Sequence, residues 1–128
     1  MNAFTGRLLT LEESIARKKG PFILFAVLKV HPVVDAWNLV VCAEWIEHDI
    51  AYAIDFIAKQ LYKTFPPAER GRIMRIATVA PDNPDLLDVL DQYEADHEVK
   101  KMRRGHYFQQ NIEQGYLFTA RRQQTEPG

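Results

Sequence analysis

The apolar run from Phe22 to Leu28 constrains the fold more than any other stretch of this sequence. It reads FILFAVL and contains no polar residue that would mark a solvent-facing side. A strand that is apolar on both faces is typical of a sheet covered on both sides. Gly20-Pro21 precedes the run and His31-Pro32 follows it, and proline cannot donate a hydrogen bond to a β-ladder. The run therefore predicts an interior strand of a sheet with two covered faces.

The residues after this run predict a second strand and then a helix. Asn38 to Ala43 is another apolar segment, and the connection leading to it is too short for a parallel crossover. We therefore expect these two strands to pair antiparallel. From Glu47 to Lys63, apolar residues recur at spacings of three and four, which predicts an amphipathic helix.

The second half of the chain continues the alternation of strands and helices. Ile73 to Val79 predicts a third strand, and Asn83-Pro84 is typical of a helix start, with Asn as the cap and Pro in the first position. Tyr116 to Ala120 predicts the last strand, which we expect to pair with His106–Phe108. Each strand–helix–strand unit implies two parallel neighbours joined by a right-handed crossover.

A further helix precedes the first strand. Thr10 and Glu13 have the spacing of a capping box, which predicts a surface helix from Leu11 to Lys19. The order of elements is then α-β-β-α-β-α-β. We predict a single α/β domain over residues 1–122, with helices packed on a mixed sheet of four or five strands, and a disordered tail at residues 123–128.

Composition narrows the classes of protein to which the chain can belong. A chain of 128 residues is the size of one domain, and its formal net charge of -1 gives no global field for nucleic acid or membranes. Cys42 is the only cysteine, which excludes an internal disulfide framework and a cysteine-based zinc site. No apolar run approaches the length of a membrane span. We expect a cytoplasmic protein that does not associate with membranes.

The stretch EWIEHD, residues 44–49, is the first candidate for chemistry. Glu44 and His48 lie four residues apart and would share one face of a helix, where they could hold a divalent metal together with further ligands such as His31, Asp35, His97 or His106. A simpler interpretation is a helix start, because acidic residues stabilise the first turn of a helix. The sequence favours the helix start and leaves a catalytic or metal site at Glu44, His48 and Asp35 as the alternative.

No known catalytic motif adds further residues to these candidates. The sequence contains no GxGxxG, no Walker loop, no GxSxG and no HExxH, and Ser14 is its only serine. A restriction-endonuclease-like nuclease requires an Asp, a second acidic residue and, two positions after it, a lysine. Asp35 and Glu44 fit the two acids, but Ile46 stands where the lysine is required, so the pattern is incomplete. We predict no cofactor, with a divalent metal as the alternative.

A basic and aromatic segment near the carboxyl end is the second candidate. Acidic residues dominate positions 82–98, and basic residues dominate positions 100–122. Basic side chains interleaved with aromatic ones are typical of single-strand nucleic-acid platforms. The alternative, which we favour, is a solvated basic turn that neutralises the acidic helix. The nucleic-acid candidates are Lys100, Lys101, Arg103, Arg104, Arg121 and Arg122.

Aromatic residues beyond the apolar stripe of the central helix predict an interface. Tyr52 and Phe56 form an i, i+4 pair, and Tyr62 lies on the same helix. Aromatic enrichment is an interface signal, and oligomers are mostly symmetric. We therefore expect a homo-oligomer, with a dimer favoured. The favoured function is a small non-catalytic module acting through protein association. A metal-dependent hydrolase or nuclease and a nucleic-acid binder are the alternatives, and the sequence leaves the question of a small-molecule ligand open.

Overall fold

The predicted interior strand lies at the centre of the sheet. The computed structural model describes residues 3–29 and 35–122. Helices are α1 (Ala3–Lys19), α2 (Glu44–His48), α3 (Ile50–Thr64) and α4 (Pro84–Gln92), with a 3₁₀ turn at Pro67–Arg72. Strands are β1 (Leu24–Lys29), β2 (Trp37–Cys42), β3 (Ile73–Thr78), β4 (Lys100–Met102), β5 (Gly105–Tyr107), β6 (Gln110–Ile112) and β7 (Gly115–Ala120).

The main sheet is mixed and has five strands, in the order β3-β2-β1-β7-β4. β1 is antiparallel to both β2 and β7, and β7 is antiparallel to β4. β2 and β3 are parallel neighbours joined through α3, as predicted. The second predicted unit is wrong in one respect: β3 and β7 are not neighbours, because β1 and β2 lie between them. The α/β class, the mixed sheet and the order of elements are confirmed.

Each face of the sheet carries its own core. On one face, Phe25, Leu39 and Phe118 pack with the apolar sides of α1 and α3. On the other, Leu24 and Val40 pack with side chains of α4 and of the β5–β6 hairpin. β1 supplies buried residues to both cores, which is why its sequence shows no alternation.

The amino-terminal helix differs from the prediction. α1 begins at Ala3, so Thr10 lies in its interior and its hydroxyl donates to the Gly6 carbonyl oxygen at 3.1 Å. The capping-box interpretation is therefore wrong. α1 is also more deeply packed than expected, because Phe4 and Leu8 extend its apolar side by two turns and Glu12 is fully buried.

The predicted helix from Glu47 to Lys63 is two helices. Asp49 has an extended backbone and separates α2 from α3. Its carboxylate accepts a hydrogen bond from the Tyr52 backbone N–H at 3.1 Å, so it is the N-cap of α3. β2 therefore leads into the short helix α2, which ends at His48 before α3 begins.

The segment after α4 also differs from the prediction. His106–Phe108 was expected to pair with the last strand, but β5 pairs with β6 in a hairpin whose turn places Phe108 and Gln109 at positive φ. The strand that pairs with β7 at this edge is β4. Because the tight turn pairs β6 with β5, the edge of β7 pairs instead with β4, which precedes the hairpin.

Two predictions fall outside the described residues: the position of His31, within 30–34, and the disordered tail at 123–128. Within the described ranges, no helix is long and apolar enough to cross a membrane.

Candidate functional site

The stretch EWIEHD forms α2 and the cap of α3. Glu44 is the first residue of α2 and His48 the last, and both are exposed beside a cavity of about 220 Å³ that Lys19 and Trp45 also line. The structure shows no hydrogen bond between the Glu44 and His48 side chains, although both lie in the described part of the chain. Among residues 3–29 and 35–122, their surroundings do not add the further ligands that a metal requires.

The other predicted ligands make contacts elsewhere. The His97 ring contacts Glu12, and the His106 ring lies 3.1 Å from Asn111 in the β5–β6 hairpin. Within residues 3–29 and 35–122, no group of three histidine, cysteine, aspartate or glutamate side chains is placed to hold a metal ion. A metal centre at Glu44 and His48 stays a prediction without geometric support among these residues.

Asp35 stabilises the start of β2. Its carboxylate accepts a hydrogen bond from the Trp37 indole N–H at 2.8 Å and lies 2.8 Å from Arg72 Nε. The Trp37 hydrogen bond, and then the Arg72 guanidinium, hold the pKa of Asp35 below its ordinary value. These contacts give Asp35 a structural role between β2 and the 3₁₀ turn before β3.

Cys42 is a buried thiol in β2. Burial, with a smaller contribution from the charge of Glu47, raises its pKa to about 12. Because the thiolate is the reactive form, Cys42 is unsuited to act as a nucleophile.

Most basic side chains of the basic and aromatic segment pair with groups of the chain itself. Arg121 and Arg122 pair with Asp96 and Asp91, and Lys100 Nζ donates to the Glu94 carbonyl oxygen at 2.5 Å. The cleft at this surface, about 730 Å³ in volume, is lined by side chains of both charges, so it does not present a uniformly basic face.

The aromatic residues of this segment are not arranged for stacking on bases. Tyr107 and Phe118 are buried in the two cores, and the Arg103 guanidinium lies over Tyr93, 5.6 Å from the ring centroid. Lys101 and Arg104 are exposed. This arrangement resembles the solvated, self-neutralising surface that the sequence favoured; nucleic-acid binding itself stays an untested alternative.

A cluster that sequence reasoning missed joins α1, β7 and the turn before β4. Glu12 is fully buried, and its carboxylate accepts from His97 Nδ1–H at 2.5 Å and from the Thr119 hydroxyl at 2.9 Å. His97 has a positive φ of 52°, and its backbone N–H lies 3.3 Å from the Thr119 hydroxyl oxygen. We call these three residues the Glu12 cluster.

The Glu12 cluster has part of the geometry of a general base. The hydrogen bond to Glu12 raises the pKa of His97, and burial raises the pKa of Glu12, so the pair holds its proton more firmly than a free histidine would. His97 Nε2, however, lies 3.5 Å from Asp96 Oδ1, and the Thr119 hydroxyl donates to Glu12. These contacts therefore link α1 to β7, which is a structural role for the cluster.

The sequence did carry a signal for this cluster. Glu12 is four residues after Leu8 and three before Ile15, so it lies within the apolar side of α1. A carboxylate in such a position requires a buried hydrogen-bonding partner. Nothing local indicates that the partner is His97, 85 residues away.

The predicted aromatic interface divides into two separate places. Tyr52 stacks on Phe56, and Lys19 Nζ donates to the Tyr52 hydroxyl at 2.5 Å, so this pair is engaged with the end of α1. Tyr62 is 62% exposed and borders a different surface, beside Arg70 and Met74.

The surface beside Tyr62 is an apolar groove between α3 and β3. We call it the α3–β3 groove; it encloses about 270 Å³ and is lined in part by Ile54, Leu61, Tyr62, Ile73, Met74 and Ile76. Met74 is 66% exposed, the highest value among the exposed large hydrophobic side chains of the described residues. Consecutive Met74 and Arg75 within an otherwise apolar strand are the sequence signal that could have identified β3 as an edge strand.

Comparison with known proteins does not assign a function. No protein-family model, no curated protein and no solved structure matches this chain. The function is therefore inferred from the chain's own surfaces and contacts.

Proposed function

We propose that this protein is a non-catalytic recognition module that binds an extended segment of a partner protein by adding it as a strand to the free edge of β3. The observation that carries the proposal is the exposed apolar groove beside β3, whose outer edge pairs with no other strand of residues 3–29 and 35–122, with Met74 66% and Tyr62 62% exposed. Strand addition is a common mode of peptide recognition, in which backbone hydrogen bonds provide affinity and adjacent pockets provide specificity.

The two edges of the sheet differ in their suitability for such binding. β4 has three residues, of which Lys100 and Lys101 are basic, and short, charged edge strands resist pairing with another chain. β3 has six residues, and from Arg75 to Thr78 it pairs in regular register with β2. Its outer edge therefore offers a longer and less charged template for a partner strand.

The groove supplies the side-chain contact that edge pairing alone lacks. Its floor is formed by α3 and β3 residues whose inner sides contact the core around Leu61 and Phe65. Arg70 holds one end of it: Arg70 Nε donates to the carbonyl oxygens of Tyr62 and Phe65, and its guanidinium lies 3.7 Å from the Tyr62 ring centroid. The groove is thus preorganised, which lowers the entropic cost of binding.

Charge argues against a second copy as the occupant of this groove. Arg70 lies at one end of it, and Arg75 borders it in β3 with its side chain on the opposite face of the sheet. Neither arginine forms an ion pair with a carboxylate of the described residues. A two-fold β3–β3 contact centred near Arg75 would place the Arg75 side chains of the two copies side by side, and like charges directly opposite each other across strands are destabilising. The homodimer predicted through Tyr52 and Phe56 uses a different surface and stays a prediction.

Site-directed photo-crosslinking in the cells that make the protein tests the proposal. We expect a benzoylphenylalanine at position 74 to cross-link to one segment of a partner protein. The matched control at Lys101, on the opposite edge, should not. A synthetic peptide of that segment should then bind the purified protein and shift the amide resonances of β3. Adducts equal at both positions, or an adduct at position 74 with a second copy alone, would contradict the proposal.

Sedimentation of the purified protein separates the two surfaces. A dimer that dissociates on Tyr52→Glu would confirm the oligomer predicted from the sequence and leave the groove free. A dimer that dissociates on Met74→Glu would show that a second copy occupies β3.

A further inference from the structure

We infer that the partner segment alternates apolar and acidic residues. This inference rests on the proposed strand addition at β3 and specifies which side chains the added strand carries. Successive residues of a strand point to opposite faces of the sheet. The two faces beside β3 have different chemistry, so the two sets of side chains on the partner should differ as well.

The face toward α3 selects apolar side chains. Ile76 lies beside Leu39 in the sheet; Leu39 belongs to the core beneath α1 and α3, and the half-buried Ile76 packs against that core. Alternate residues of an added strand would extend this row into the α3–β3 groove, against Met74 and Tyr62. A side chain of about the size of valine or leucine removes its surface from water there.

The opposite face selects acidic side chains. Arg75 lies beside Asn38, one position before the Leu39–Ile76 pair, so its side chain leaves from the face away from α3. Arg75 is exposed, and it has no ion pair with any carboxylate of residues 3–29 and 35–122. An Asp or Glu next to it on the added strand would form a cross-strand ion pair.

A random-peptide phage library panned on the immobilised full chain tests this inference. On the wild-type protein we expect enriched peptides to carry apolar residues at alternate positions, with Asp or Glu between them. On Arg75→Glu the apolar alternation should persist, whereas the intervening residues should change to Lys or Arg. Both Met74 and Arg75 are exposed, and a circular-dichroism melt of each variant verifies that it folds.

Affinity measurements make the same test quantitative. Replacing the acid of a selected peptide by its amide should weaken binding to the wild-type protein about two- to fivefold. The amide should have no such effect on the Arg75→Glu variant. The difference should also shrink at high salt, because exposed charges are screened.

The outcomes separate this inference from the function on which it rests. Peptides that lose binding on Met74→Glu but show no acidic preference would overturn the acidic pattern and leave strand addition intact. Peptides whose binding does not depend on Met74 would overturn strand addition itself. Enrichment of basic residues on the wild-type protein would also overturn the inference, because it would show that Arg75 does not select the charge.

Discussion

Glu44 and His48 are four residues apart in one short helix, whereas Glu12 and His97 are 85 residues apart, and the structure joins the distant pair. The nearby pair is exposed to water at both ends of α2. In the distant pair, Glu12 is fully buried and His97 is 35% exposed. A solvated carboxylate gains little from a neighbouring imidazole, but a buried one requires a partner.

Spacing along the chain does not by itself determine which side chains interact. Helical spacing brings two side chains to the same face, but it does not indicate whether water already provides their hydrogen bonds. Burial creates the demand for a hydrogen bond, and burial of Glu12 follows from the packing of α1 against β7. Stability should therefore depend strongly on the Glu12 cluster and weakly on Glu44 and His48.

Removing His97 should have the largest effect. His97→Ala leaves the Glu12 carboxylate buried without its nearest partner, and we expect a loss of about 3 kcal/mol or more in the free energy of unfolding. Urea denaturation followed by tryptophan fluorescence measures it. His48→Ala, which removes an exposed histidine, is the matched control and should change stability by no more than about 0.5 kcal/mol. Equal losses in the two variants would contradict the comparison.

Removing the Thr119 hydroxyl should have an intermediate effect. Thr119→Val keeps the shape of the side chain but deletes the 2.9 Å hydrogen bond to Glu12 and the longer one, at 3.3 Å, that the hydroxyl accepts from the His97 backbone N–H. A hydrogen bond to a charged group contributes about 1.5–3 kcal/mol, so the loss should lie in that range. Thr10→Val, in which the lost hydroxyl bonds within α1 at the surface, provides a control in the same assay. A Thr119→Val protein as stable as its control would show that His97 alone satisfies Glu12.

The pH dependence of stability should distinguish the two histidines. The hydrogen bond to Glu12, with the charges of Glu12, Asp96 and Glu13, raises the pKa of His97 in the folded protein above its value of 6.5 when unperturbed. The stabilisation is thus fully present below about pH 6.5 and is lost as the pH rises through the raised pKa. Melting temperatures measured from pH 6 to 9 should fall over that interval in the wild type and in His48→Gln. They should fall less in His97→Gln, and an unchanged slope there would refute the assignment to His97.

The smallest effects are expected at Glu44. Glu44→Ala should change the free energy of unfolding by no more than about 0.5 kcal/mol, because the side chain is exposed and not hydrogen-bonded to His48. Adding zinc should leave the melting temperature unchanged, since a ligand stabilises only a protein that binds it. A zinc-dependent rise in the melting temperature that disappears in His48→Ala would instead establish the metal site at α2 and reverse the comparison.

Much of the fold follows from short stretches of the sequence. The unbroken run at Phe22–Leu28 predicted the central strand, and the change to a spacing of three and four predicted the helix that follows β2. Asn83-Pro84 predicted the start of α4, where the Asn83 side chain accepts from the Asp85 backbone N–H at 2.8 Å. These features depend on periodicity and on hydrogen bonds between residues close in the chain, and the local sequence determines both.

Three features arose only from contacts between distant parts of the chain. Glu12 meets His97 because α1 packs across β7. β3 lies at an edge because β2 and β1 separate it from β7, and the prediction that β3 and β7 are neighbours failed for the same reason. The third feature is the exposed apolar groove between α3 and β3. Strand order, burial of a lone carboxylate and exposure of an apolar groove depend on which surfaces cover one another. The local pattern specifies which side of each element is apolar, and packing of the whole chain determines what each side contacts.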